Sequence, residues 1–523
     1  MKKRLLEQAT KIVDEGKGEL RTVIVRMEAP ADTQREILAA ASEAIHRRIL
    51  CTTARDVLPL PSKTLAVPVT ATRAKATLRD MNKEDTSMAA NVALGDVTVA
   101  ALRSVGLDAL APLRASEAFK MAEARMSERA PRRKAAPKKR VGSPQSPVPY
   151  FWSSKCAVLT LPKDEVPKLV TDVPRIGDLY PNRLLRVPRV VEAKRLPFNV
   201  EDNKTSAWGV NAIGALAAWG AYGSRGKGVR IAVLDTGVDA THPDLKGKVD
   251  AWAEFDLQGN QVPDSKPHDT DQHGTHCAGI IAGGDASGVW IGVAPEAKLA
   301  CGLVLDGKKG GSDAQVLAGM EWAIEQKVDA ISMSLGGLTI GPDVPSTYTT
   351  AIIDALRLGI PVVTAIGNEG SQTSGSPGND LFAFAVGATD SRDRVAGFSG
   401  GQTQIVFESA FIQPELLPLP YSKPDLTAPG VAILSSVPDG KWEHFNGTSM
   451  ATPHVAGAIA LLLAATSLRK KFTKGELAFM IQDLLTGSVE ELGESGQDHR
   501  YGFGRLDVLR AIGFARETEK GRP

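Results

Sequence analysis

Apolar residues alternate in the first part of this chain and run together in the second, and the change of pattern divides it. RTVIVRM (21 to 27) alternates as a half-buried strand does, and ADTQREILAAASEAIHRRIL (31 to 50) carries Ile37, Ala41, Ile45 and Ile49 at helical spacing. CAVLTLP (156 to 162) predicts a strand, KDEVPKLVTDV (163 to 173) a short helix, and PNRLLRVPRV (181 to 190) a further strand. Together these predict one small α+β unit, interrupted by residues 51 to 150, where AALRSVGLDALAPL and ASEAFKMAEARM are expected helices. From Trp208 the pattern changes to VRIAVLD, AKLACGLVL, VDAISMSL, PVVTAIGN and FAFAVGATD, apolar runs without polar alternation. Strands buried on both faces read this way, so the expected class is α/β, a mostly parallel sheet covered by helices on both faces. In such sheets chemistry gathers outside the carboxyl ends of the strands.

Two polar breaks separate the parts. APRRKAAPKKRVGSPQSPVP (130 to 149) mixes basic residues with proline and small residues and has no face to bury, so a solvated linker is expected. No aromatic residues interleave its charges, so no nucleic-acid partner is expected. EDNKTS (201 to 206) precedes the regular α/β part, which sets the expected domains at 1–200 and 201–523. The 523 residues are 43% hydrophobic and 23% charged, with a net charge of +2, which exerts no overall pull toward nucleic acid or membrane. Cys51, Cys156, Cys277 and Cys301 are scattered without zinc-type pairing and read as free thiols. MKKRLLEQATKIVDEGKGEL starts basic but lacks the apolar stretch of a signal peptide, and AGAIALLLAA is too short for a span. A cytoplasmic protein without a membrane partner is expected, with non-classical export left open.

HFNGTSMATPHVAG (444 to 457) then raises the chemistry. The run from His454 is a buried helix, so Ser449 stands at its start and Pro453 is expected in its first turn, where N–H groups lack partners. On this stretch alone Ser449 reads as an N-cap. Elsewhere, VRIAVLDTGVD puts Asp235 at a strand end, PVVTAIGNEG does the same for Asn368, and HDTDQHGTHCAGIIAGG places His273 before a small-residue helix. A serine hydroxyl needs an imidazole to take its proton, and the imidazole needs a carboxylate to fix its tautomer. The oxyanion needs donors, which the Asn368 amide and the Ser449 N–H supply.

DTGVDATHPDL, HGTHCAG, SMSLGG, AIGNEG, KPDLTAPG and NGTSMATPHVAG, in this order over about 205 to 515, closely resemble the subtilisin-like serine proteases (subtilases), and HGTHCAG is similar to proteinase K-like members. The resemblance implies a serine endopeptidase acting on protein or peptide substrates through an acyl-enzyme. Asp235 is then the orienting acid, His273 the base, Ser449 the nucleophile and Asn368 the oxyanion donor. It implies that Ser334, Leu335 and Gly336 form one edge and Gly310, Gly311 and Ser312 the other, holding an extended peptide between them. Ala365, Gly367 and Gly375 would line a roomy apolar pocket for the residue on the acyl side of the cut. Cys277 becomes a buried packing thiol beside the base, and His242, His276 and His454 are structural.

No cofactor is implied for catalysis. Asp244 matches a calcium-ligand position of the family, but Lys204 stands where an amide ligand is expected and GDASGVW (284 to 290) lacks the asparagine. A lysine supplies no oxygen, so no metal is assigned and a structural calcium is left open. Residues 20 to 50 with 155 to 190 resemble the family's inhibitory propeptide, implying a self-inhibited precursor cut between about 190 and 207. Two rivals remain. An inactive binding scaffold is disfavoured because every reactive group is present. A metallohydrolase would draw on His268, Asp269, Asp271, His273 and His276, but H-E-x-x-H is missing.

Overall fold

The computed structural model describes residues 2–16, 18–54, 97–129, 146–185, 205–307, 309–339 and 344–520. A seven-stranded sheet runs Leu426–Pro429, Phe384–Thr389, Val362–Ala365, Ala330–Met333, Arg230–Asp235, Lys298–Leu303, Val249–Glu254, with every neighbouring pair parallel. The five predicted apolar runs supply the five inner strands. The two outer ones escaped that pattern because LTAP is short and proline-ended and VDAWAE is partly polar and half exposed. Successive strands depart to opposite sides of Arg230–Asp235, so Asp235 ends the strand at which the order reverses, where a crevice opens in such sheets.

Side chains alternate along each strand, so the sheet feeds two cores. Ile231 and Val233 join the helices His273–Ala282 and Thr448–Ala465 on one face, while Ala232 and Leu234 join Asp313–Glu325 and Thr349–Arg357 on the other. Thr448–Ala465 is long and apolar enough to cross a membrane, but 94% of it is buried in the protein core, which accounts for its composition.

The chain's first part forms a four-stranded antiparallel sheet in the order Tyr150–Phe151, Cys156–Pro162, Leu20–Met27, Ile176–Pro181. The fourth strand is Ile176–Pro181 rather than PNRLLRVPRV, of which Pro181 ends that strand and Leu184–Leu185 is extended and paired elsewhere; residues 186–190 lie outside the described set. Val99–Arg114 and Glu117–Arg129, from the stretch read as an interruption, bury Leu110, Leu113 and Phe119 in the core of this sheet. Its other face, through Ile24, Val158 and Tyr180, shares a core with Asp313–Glu325 and Thr349–Arg357. Lys155, in a left-handed turn at φ 56°, enters this junction and places Nζ 2.7 Å from Asp354 Oδ2. Arg357 bridges Asp354 to Glu36, with Nη2 2.5 Å from Glu36 Oε2. Of the linker, only 146–149 is described.

Candidate active site

Asp235, His273, Ser449 and Asn368 come from four elements and meet at the carboxyl side of the sheet. Asp235 ends its strand; its Oδ1 accepts from the Thr236 N–H at 2.7 Å and lies 2.7 Å from His273 Nδ1, which therefore donates. His273 opens the helix His273–Ala282, held by Gly274 N donating to Thr236 Oγ1 at 2.9 Å. A Cβ at Gly274 would stand 2.1 Å from the Gly237 carbonyl oxygen, so the base reaches the acid only because position 274 has no side chain. His273 is 1% exposed, and its Nε2 has no hydrogen-bond partner among the described residues. Burial pulls the ring's pKa down, but the Asp235 carboxylate leads the groups that outweigh it, and the pKa stands well above the usual histidine value.

Ser449 is the second residue of Thr448–Ala465, and Gly447 is the N-cap, so the serine is not the cap. Pro453 is the sixth residue, not a first-turn one. Its missing N–H leaves the Ser449 carbonyl without its helical partner, and Ser334 Oγ donates to that oxygen at 2.8 Å, with Cys277 Sγ at 3.4 Å. Cys277 Sγ is also 3.9 Å from His273 Nδ1, so one buried thiol touches both the base and the backbone of the serine. The Ser449 hydroxyl itself donates to the Ser334 carbonyl at 3.4 Å, and no hydrogen bond joins it to His273.

Asn368 follows the Val362–Ala365 strand. Thr448 N and Thr448 Oγ1 both donate to Asn368 Oδ1 at 2.9 Å, which turns Nδ2 the other way, buried and without a partner. A Cβ built on Gly447 would stand 3.4 Å from Nδ2 and 3.5 Å from Ser449 N. Two aimed donors flank a space kept open by a glycine. Sequence reasoning passed over Gly447, Thr448 and Thr236; the signal for the first two lay in the letters G-T beside the serine. Filling the space with Gly447→Ala should lower kcat about a hundred- to a thousand-fold, the scale of losing an oxyanion donor, with thermal unfolding unchanged, because those separations are ordinary van der Waals contacts.

The remaining candidates divide. Ser334 and Leu335 are buried just past Ala330–Met333, and Gly336 leads into Gly337–Leu338, which pairs with Gly375–Ser376. Ala365 ends its strand, and Gly367 has φ 116°, which only glycine holds without strain. Gly310–Ser312 lies between Leu305–Asp306 and Leu184–Leu185, antiparallel to both. Ser312 also caps the Asp313–Glu325 helix in a capping box with Gln315.

Asp244 Oδ1 accepts from Ala286 N at 2.7 Å and Oδ2 from Trp442 Nε1 at 2.6 Å, so both oxygens are hydrogen-bonded within the protein; Lys204 lies outside the described residues. The metallohydrolase set does not converge. Asp269 is spent on Thr236 and Thr275, and His276 points to the Ile433 and Glu443 carbonyls, stacked on Phe445 with its pKa pushed down by burial to about 3. His454 faces the Met450 carbonyl and His242 that of Lys441, so all three of these histidines serve the framework.

A model of the subtilase family matches residues 226–504. The chain belongs to the subtilase family. It is similar to the intracellular serine protease of Paenibacillus polymyxa, 41% identical over 276 residues that cover 51% of this chain and 77% of that protein. It is 37% identical over 277 residues to the major intracellular serine protease of Bacillus subtilis (strain 168), covering 51% and 79%. With subtilisin of Bacillus pumilus it shares 37% over 311 residues, 58% of this chain and 98% of the relative. This subtilase is therefore a serine endopeptidase acting on protein substrates, and the family's catalysis needs no cofactor.

Proposed function

We propose that this subtilase cleaves peptide bonds with Ser449 as nucleophile, His273 as base, Asp235 as orienting acid, and Asn368 with the Ser449 N–H as oxyanion donors. The observation that carries this is the buried Asp235–His273 pair at 2.7 Å, its Nε2 unpaired among the described residues, with Cys277 Sγ reaching both His273 Nδ1 and the Ser449 carbonyl. Attack requires the Ser449 hydroxyl to turn from the Ser334 carbonyl to Nε2, which accepts its proton and later passes it to the leaving amine. Ser334 to Gly336, with Ala365, Gly367 and Gly375, border the acyl side of the cleft. The base must be neutral, so the raised pKa sets the acid limb of the pH profile: kcat/KM should rise with pH through values above the ordinary 6.5, and Asp235→Asn should move that limb downward.

The chain is made, on this reading, as a self-inhibited zymogen with an N-terminal region 1–200 and a catalytic region 201–523. Leu184–Leu185 lies on Gly311 and Ser312 as an extended strand, in the manner expected of a bound peptide, and Leu185 Cδ2 would be 3.4 Å from a Cβ on Gly337. Arg183 grips Asp313 through Nε at 2.8 Å and Nη2 at 2.9 Å, and Asn182 Oδ1 accepts from Ala314 N at the same helix start. Self-cleavage is placed between about 190 and 207, a stretch largely outside the described residues. Lys155→Met would take the lysine from the buried Asp354 and leave Arg357 Nη1, at 3.4 Å, as its cation, which weakens this junction. Active enzyme should accordingly appear sooner in a time course on a fluorogenic peptide. Two relatives are named intracellular, which supports a cytoplasmic location.

A covalent fluorophosphonate label tests the core of this reading. Labelling of the wild type, absent in Ser449→Ala, is expected, together with inhibition by phenylmethylsulfonyl fluoride and none by a chelator. Proteolysis that persists in Ser449→Ala, or that only the chelator stops, would refute it.

A further inference from the structure

Behind the Gly375 wall lies a buried polar cluster that the chemistry at Ser449 does not use. It is built by an antiparallel hairpin, Gln402–Val406 with Leu419–Lys423. The hairpin's backbone is tied to the wall loop, Gly401 N donating to the Thr373 carbonyl at 2.8 Å and Gln372 N to the Gly401 carbonyl at 2.9 Å. Gln404 Nε2 donates to Ser374 Oγ at 2.7 Å, and Asn379 Nδ2 reaches the same oxygen at 3.3 Å and Thr339 Oγ1 at 3.0 Å. The Tyr421 hydroxyl stands 2.7 Å from both the Asn379 carbonyl oxygen and Gln404 Oε1. Ser374, Asn379, Gln404 and Tyr421 are all buried.

Burying so many polar groups is unfavourable unless they are paired, and a paired cluster fixes one geometry. What this cluster fixes is the segment between Ser374 and Asn379. That segment contains Gly375–Ser376, a two-residue strand paired with Gly337–Leu338, with no side chain at Gly375 and with Gly375 N donating to the Ile366 carbonyl at 2.8 Å. Two ladder positions and a glycine give it little stiffness of its own, so braces at both ends decide where it stands. We propose that Gln404 and Tyr421 are positioning residues that set the width of the acyl-side pocket, and so the size of the substrate side chain it accepts. This rests on the reading of Gly375 as a pocket wall.

The test uses the full chain and three fluorogenic peptides that differ only in alanine, leucine or phenylalanine at the acyl-side position. Tyr421→Phe removes one hydroxyl, and Gln402→Ala removes the weaker acceptor that Ser374 Oγ meets at 3.2 Å, so the second variant covers a failure of the first to fold. The phenylalanine-to-alanine ratio of kcat/KM should fall about ten-fold in Tyr421→Phe and less in Gln402→Ala, on the scale of one altered pocket contact. The loss should appear in KM for the large residue, with the acid limb of the pH profile unmoved. An unchanged ratio, or an equal loss on all three peptides, would overturn the proposal. Absence of Ser449-dependent cleavage in the wild type would instead overturn the reading beneath it.

Discussion

Ser449→Ala will lower peptide hydrolysis about a million-fold, the scale seen in subtilisin when the nucleophile alone is removed, a figure from a family member rather than from this geometry. The physical case is local. The hydroxyl makes one long hydrogen bond, to the Ser334 carbonyl, so its removal leaves the helix start and the Asn368 anchor in place and the protein folded. The nearby Cys277 thiol will not substitute for it. Burial holds that thiol's pKa up, and it faces the Ser449 carbonyl and His273 Nδ1 rather than Nε2. Intact-mass measurement gives the second readout: the wild type should shorten to a form starting near 191 to 207, and the variant should keep its full mass. A variant that shortens in a protease-free preparation would rule out self-cleavage.

Asp235→Asn should cost about ten-thousand-fold in kcat, as the equivalent change does where an acid orients the base of a serine protease. Asp235 Oδ1 accepts from both the Thr236 N–H and His273 Nδ1, so an amide there keeps the size of the side chain but either loses the charge at that oxygen or gives up the Thr236 bond. The amide can turn its NH2 toward Nδ1, and the ring then carries its proton on Nε2, the atom that has to accept from serine. The imidazolium also loses its compensating charge. Burst kinetics with a good ester substrate would separate this from a binding defect, since the loss should fall on kcat with KM little changed.

The α/β class and five of the seven central strands were legible because strands buried on both faces need continuous apolar residues, and that is a local property of the letters. Leu426–Pro429 and Val249–Glu254 were not, because position in the sheet, not composition, makes them strands. Asp235, Asn368, His273 and Ser449 could be singled out because each stands at a strand end or helix start beside glycine. Pro453 was misplaced by a turn: a proline in a helix signals a start only when nothing else donates to the freed carbonyl, and here Ser334 and Cys277 donate to it. That Leu184–Leu185 pairs with Gly311 and Ser312 was not legible, because nothing nearby in the sequence reveals which distant segment will lie on that strand. That Asp244 gives its oxygens to Ala286 and Trp442 was likewise set by partners far away in the chain.

By itself the sequence determined the family, the parallel sheet and the four side chains worth examining, since residue type, order and periodicity are carried along the chain. Only the tertiary structure decided that Asp235 Oδ1 lies 2.7 Å from His273 Nδ1, that Lys155 is buried against Asp354, and that a hairpin braces Ser374. Those are meetings between residues 38, 199 and 30 positions apart, and packing, not propensity, sets which distant groups share a hydrogen bond.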